Sequence, residues 1–258
     1  MIGSALLGST LACKPYIGGE VKSTDTFLYG RFEVSLLATL ALGTDTSFFT
    51  YWDGPGWYWG GWNEIDIEIV PSLTKEGFNR NLIYGNGKDQ LQDGGPRAPV
   101  TVGDMTKFQE FAIEWTPEYV KYFNGDTLLF TYDKEDPEHT AAVEYLNKNQ
   151  HIMMNLWPPQ VDPWYKGLDP KDMPVYTEYD YVRTYTYDQE TKEFTLFWED
   201  NFDTLDLERW TVSDNWTFGG NLAVFNKDHT YIKDGHLVFK LDINPECPPT
   251  MEEAELIE

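Results

Sequence analysis

The sequence predicts an all-β sandwich or jelly roll, on three observations. Short runs rich in Val, Ile, Phe, Tyr and Thr recur along the 258 residues, turn-forming Gly, Asn, Asp and Pro separate them, and helical periodicity is scarce. Many short strands spaced by turns suit packed antiparallel sheets. The length suits one large domain or two small ones, and 41 % hydrophobic residues supply a core. No internal repeat, low-complexity tract or linker divides the chain, so the expectation is one domain over 1–258.

Taken in order, FLYGRFEVSLLATL reads as one long strand or two, and SFFTYW as another. EFAIEWTPEYVKYFNGDTLLFTYD reads as three strands, parted by a Thr-Pro turn and by Asn124-Gly125. Asn-Gly between alternating residues marks a tight hairpin whose two central residues take positive φ. YIKDGHLVFKL repeats the device with Asp234-Gly235. The stretch from Pro137 to Lys148 suits a short helix or an extended loop, and about 247–258 an acidic tail.

The net charge of -24 repels phosphate-rich partners, which argues against nucleic acid and anionic membrane surfaces. Aromatic residues make up 16 %, with 10 Trp; many belong in the core, and ten Trp also suggest flat apolar surfaces for a ligand. Cys13 and Cys247 suit either a single bridge in a secreted protein or two inert thiols. A bridge would close a very long loop and stabilise by about 4 kcal/mol. No stretch is long enough to span a membrane. IGSALLGSTLAC lacks a basic n-region and makes a poor signal peptide; its LAC is a faint lipoprotein-like cleavage site, with an ordinary strand the plainer reading.

The most informative stretch is WNEIDIEIV, residues 62–70. On a strand, Trp62, Glu64, Asp66 and Glu68 share one face, and Asn63, Ile65, Ile67 and Ile69 the other. The isoleucines belong in a core. Like charges on alternate residues oppose folding, and outer faces usually mix in Lys and Thr, so a merely solvated face explains the acids poorly. Crowded carboxylates do suit displacement at a glycosidic carbon: their pKa values separate, leaving one acid protonated and another ionised. Retaining chemistry needs the two carboxyls about 5–5.5 Å apart. Cα atoms of residues i and i+4 lie about 13 Å apart at a rise of about 3.3 Å, so inward-leaning glutamates on a curved sheet could approach that distance. A hard cation is the alternative, but a comb of acids on one straight strand does not wrap an ion as a loop does.

WNEIDIEIV resembles the active-site strand of glycoside hydrolase family 16, Glu-x-Asp-x-Glu on a concave sheet. SFFTYW, IMMNLW (152–157), VDPW and YDYVR are similar to segments of its licheninase, or 1,3-1,4-β-glucanase, type. FTLFWEDNFDTLDLERW, DNWTFGGNLAVF and YIKDGHLVFKL resemble the part that begins most members, yet lie at 194–241 here, as in a natural circular permutant. The resemblance implies a jelly-roll sandwich of two curved antiparallel sheets with a concave substrate cleft. It implies a secreted, endo-acting, retaining hydrolase that cleaves β-1,4 linkages in mixed-linkage 1,3-1,4-β-glucan. Xyloglucan or another β-glucan, and a non-catalytic glucan-binding module, stand as alternatives. Carried over, Glu64 is the nucleophile, Glu68 the general acid/base and Asp66 the assisting residue. Glu20, Phe49, Tyr51, Trp62, Asn81, Asn155, Trp157, Trp164 and Tyr181 are the implied substrate contacts, with core packing the plain alternative for Phe49. The implied partner is a β-glucan polysaccharide or oligosaccharide, the implied state a monomer. No cofactor is implied for catalysis; a structural calcium ion is allowed, with no ligands assigned. Met153, Tyr181 and the loop DGPGWYWGGW depart from the family pattern.

Overall fold

A computed structural model describes residues 13–55, 61–85, 91–93 and 99–249. Most of IGSALLGSTLAC, the middle of DGPGWYWGGW and the end of the acidic tail lie outside the described residues. Among the described residues seventeen strands dominate, and the jelly-roll expectation holds.

The first sheet holds β1 (Tyr16–Phe27), β3 (Asp45–Tyr51), β4 (Trp62–Ile69), β5 (Gly77–Gly85) and β11 (Gln150–Trp157). Antiparallel pairing runs β1–β11–β3–β4–β5, with the short β6 (Leu91–Asp93) and β7 (Pro99–Thr101) on the far edge of β5. The second sheet holds β2 (Gly30–Leu37), β8 (Gln109–Trp115), β9 (Tyr119–Asn124), β10 (Thr127–Asp133) and β12 (Val175–Tyr187), in the order β10–β9–β8–β2–β12. FLYGRFEVSLLATL is thus split between two strands of different sheets, with Tyr29 (φ 66°) and Gly30 at the corner.

The segment after 193 is woven into both sheets. β13 (Phe194–Asp200) and β17 (His236–Ile243) pair with successive halves of β12, and β16 (Thr230–Lys233) pairs with β17. β14 (Trp210–Val212) and β15 (Ala223–Phe225) pair with β1, β15 in parallel. The last residues of β17 also reach β1.

The core lies between the sheets. Val21, Phe48, Ile65, Ile67, Ile69, Ile152, Met154 and Leu156 face Phe32, Val34, Phe111, Ile113, Trp115 and Val182. The three isoleucines of β4 have no exposed surface. Burying each stabilises by about 2 kcal/mol, which holds an acid-laden strand in place.

The two hairpin expectations fare differently. Asp234 (φ 54°) and Gly235 (φ 82°) form the two-residue turn between β16 and β17, as expected. At the other hairpin Asn124 pairs with Thr127, so the central pair is Gly125–Asp126, one residue later than expected, and only Gly125 (φ 52°) has positive φ. Asn124 is held in the ladder, where its side-chain amide bonds Gln109 Oε1 and the Glu110 carbonyl. The 137–148 stretch contains a short helix, α1 (Thr140–Tyr145).

Cys13 and Cys247 form a disulfide across 234 residues, which settles the open alternative. Beside it, the Asn244 amide nitrogens bond the carbonyls of Lys14 and Pro15. Among the described residues no helix is long and apolar enough to cross a membrane.

Candidate active site

Strand register brings the predicted residues together. Opposite the acids of β4, Tyr51 faces Glu64, Phe49 faces Asp66 and Ser47 faces Glu68 across β3. On the other side Ile83, Asn81 and Asn79 of β5 face the same three acids. One strand further, β11 sets His151, Met153, Asn155 and Trp157 opposite Tyr51, Phe49, Ser47 and Asp45. β1 then places Glu20 opposite Asn155 and Lys22 opposite Met153. Because side chains alternate, these residues line the face of the sheet turned away from the core.

Asp66 is buried there, and Glu64 and Glu68 are partly buried. Trp62 Nε1 donates to Glu64 Oε2, and the Trp62 ring stands edge-on to Tyr51 with centroids 6.3 Å apart. Burial pushes the Glu64 carboxyl up to about 7, against the opposing pull of hydrogen bonds from Trp62 and Asp66. Burial pushes Asp66 well above the usual carboxylate range, and the charges of Glu64, Glu68 and Asp45 add to it. Glu68 is likewise raised, by burial first and then by Asp45 and Glu64. Burial raises Glu20 too, although Ser213 Oγ donates to its Oε1 at 2.7 Å and Asn155 Nδ2 to its Oε2 at 3.1 Å.

Several polar atoms on this face are buried and have no hydrogen-bond partner among the described residues: both side-chain polar atoms of Asn79, and the amide oxygens of Asn81 and Asn155. Each unmade bond costs about 1–3 kcal/mol. A polyhydroxylated ligand matches such a set, with C–H faces to lay on Tyr51, Trp62 and Trp157.

Phe49 is buried, yet it lies outside the main core cluster and is on the acid face opposite Asp66. Trp157 packs edge-on to Phe218, centroids 4.9 Å apart, which adds an aromatic from the 194–241 segment. Trp164 is buried in the loop after β11, its backbone N–H bonded to the Val161 carbonyl. Tyr181 is the correction. Period-two alternation from Tyr179 would keep both on one face, but Asp180 is an extra residue between the pairs Tyr179–Leu36 and Tyr181–Ser35. That bulge turns Tyr181 to the outer face of the second sheet, beneath the Arg183 guanidinium, away from the acids.

Sequence reasoning missed Asp45, Ser47, Asn79 and Ser213. Asp45, Ser47, Phe49 and Tyr51 are at alternate positions of one strand, a period-two signal that could have found the first two. Ser213 has no such signal, because it reaches Glu20 across 193 residues. Among the described residues no group of three or more His, Cys, Asp or Glu is arranged to hold a metal ion. The calcium ion the resemblance allows has no ligands assigned, and no step below uses one.

An antiparallel sandwich with an acid comb on its open face defines a glycosidase-like site, and comparison with known proteins agrees. The family model "Glycosyl hydrolases family 16" matches residues 4–200, and the chain belongs to that family. It is 30 % identical over 245 residues to a β-glucanase of Fibrobacter succinogenes, covering 92 % of this chain and 67 % of that protein. To a β-glucanase of Brevibacillus brevis it is 35 % identical over 179 residues, 67 % of this chain and 62 % of that one. A solved Bacillus licheniformis β-glucanase superposes with a TM-score of 0.50 at 29 % identity, covering 66 % of this chain and 71 % of that structure. The chain thus spans about two thirds or less of the length of these two curated relatives.

Proposed function

We propose that this chain is a secreted, endo-acting, retaining β-glucanase that cleaves β-1,4 linkages in mixed-linkage 1,3-1,4-β-glucan. The observation that carries it is the row Glu64, Asp66 and Glu68 on one face of β4, anchored from behind by three buried isoleucines and flanked by Tyr51, Trp62 and Asn81. In the first step a Glu64 carboxylate oxygen attacks the anomeric carbon. The bond from that carbon to the 4-oxygen breaks, and the Glu68 proton passes to the departing oxygen. In the second step water attacks the same carbon, its proton passes to Glu68, and Glu64 leaves as carboxylate. Asp66 hydrogen-bonds Glu64 and shares a proton with it. Glu20, Phe49, Tyr51, Trp62, Asn81, Asn155, Trp157 and Trp164 are the proposed sugar contacts.

The disulfide and a polymeric substrate both favour action outside the cell. A circularly permuted order is supported by coverage: the Fibrobacter relative matches 92 % of this chain and the Brevibacillus relative 67 %. The family model likewise stops at residue 200, near where the 194–241 segment begins.

Reducing-sugar release from lichenan, barley β-glucan, laminarin, carboxymethylcellulose and xyloglucan tests the reading. Release from the first two alone is expected. A preference for xyloglucan would move the substrate, and binding without release would make this a glucan-binding module. In Glu64→Ala, azide should restore turnover and yield the inverted glycosyl azide.

A further inference from the structure

We propose that Asp45 is a positioning residue that holds the proton of Glu68 for acid catalysis, so that the site is a row of two carboxyl pairs, Glu64–Asp66 and Asp45–Glu68. This rests on the reading of Glu68 as the general acid/base.

Asp45 opens β3, two residues before Ser47, which lies directly opposite Glu68. Alternation puts Asp45 on the acid face, one diagonal step from Glu68 and within reach of Glu68's side chain, the spacing at which long side chains still meet. The two carboxyls are within hydrogen-bonding reach. Asp45 has no exposed surface, and Ser47 Oγ donates to its Oδ1 at 3.1 Å. Its Oδ2 and Glu68 Oε2 receive no donor from the described residues. Two desolvated carboxylates in contact, with no cation beside them among the described residues, cannot both ionise; the pair keeps at least one proton.

Among the described residues, the groups acting on this pair are acidic or uncharged. Glu64 and Asp66 act along β4, and Asn79 faces Glu68 from β5. Trp157 faces Asp45 from β11, and the hydroxyls of Tyr122 and Tyr179 in the second sheet sense Glu68 and Asp45 respectively. Everything therefore pushes in one direction, toward keeping Glu68 protonated. Burial lifts Asp45 itself to about 8, with Ser47 and Glu68 pulling the other way. Below about pH 8 Asp45 keeps its own proton, so when Glu68 gives its proton to the departing oxygen the pair still holds one. Neutral Asp45 then donates a hydrogen bond to the new carboxylate. When water returns the proton, Glu68 is recharged and Asp45 is unchanged, so the cycle balances.

Asp45→Asn keeps shape and a donor but cannot carry charge. The alkaline limb of kcat/KM on β-glucan should move down by about 1 pH unit, with the plateau below it little changed. An aryl β-glycoside with a good leaving group needs no proton, so its rate should change less than about 3-fold. A merely structural role would lower both substrates alike and leave the limb in place, which overturns the proposal. Carbon-13 titration of the Glu68 carboxyl in wild type and Asp45→Asn separates the two readings. If no glucan is hydrolysed but Glu68 titrates lower in the variant, the pairing stands and the functional reading falls. An unmoved Glu68 titration removes Asp45 from the role.

Discussion

Trp62 and Glu64 are two residues apart on one strand, and the indole Nε1 of the first donates to Oε2 of the second. That bond opposes the desolvation that lifts Glu64 to about 7. Trp62→Phe keeps the ring and removes the donor, so the Glu64 pKa rises further. A nucleophile must be ionised, and the acid limb of kcat/KM therefore moves to higher pH, by about 1 unit for a bond of about 1.5 kcal/mol to a charged group. A pH–rate profile of the variant checks this. An acid limb that stays put would remove Glu64 ionisation as its origin.

The same burial makes the site a stability liability. Glu64 goes from 4.5 to about 7 on folding, and Asp45 from 3.8 to about 8. Both folded values lie above the unfolded ones, so their contribution is full below pH ~4 and is lost as pH rises through the folded values. Each group can cost up to about 1.4 kcal/mol per pH unit across its window. The melting temperature should fall between pH 5 and pH 8. Glu64→Gln should be inactive yet more stable than wild type at pH 8, with a shallower pH slope by scanning calorimetry. Equal slopes for the two proteins would contradict this account.

What the sequence made legible was whatever one strand carries by itself. The alternation in WNEIDIEIV yields the buried isoleucines and the exposed-face acids because period two needs no knowledge of neighbours. Asp234-Gly235 was legible for the same reason, being a turn with its own backbone demand. Asn124-Gly125 misled by one residue, since an Asn that finds partners at Gln109 and Glu110 stays in the ladder. Asp45 shared a face with Phe49 and Tyr51 by period two alone, but its place beside Glu68, like that of Asn79, comes only from the registers β3–β4 and β4–β5, which a single sequence does not display. The Asp180 bulge is likewise a property of two strands, and it inverts the face of Tyr181.

The Cys13–Cys247 bridge ties the chain's ends where β1 and β17 pair. Closing a loop of 234 residues restricts the unfolded chain by about 5 kcal/mol on the chain-entropy argument. Cys13→Ser/Cys247→Ser should therefore unfold at clearly lower denaturant concentration. Neither cysteine touches the acid face, so kcat and KM at 25 °C should match wild type. Loss of activity without loss of stability would point to a different role.

Tyr181 and Trp157 offer a matched pair of aromatic truncations. Trp157 ends the strand that sets Asn155 beside Glu20 and packs on Phe218, on the acid face of the first sheet. Tyr181 sits on the other sheet, stacked under Arg183, whose guanidinium lies 4.0 Å from its ring centroid. If the bulge at Asp180 sets function as well as geometry, only one of these rings meets sugar. Trp157→Ala should raise KM for β-glucan about 10-fold or more, the loss of one stacked ring at about 1.5 kcal/mol. Tyr181→Ala should leave KM within about 2-fold and act on stability alone, by about 1 kcal/mol for the lost cation–π contact. Steady-state kinetics with a chemical melt on both variants decides it. A KM effect from Tyr181 would mean that the second sheet's outer face also binds the polymer.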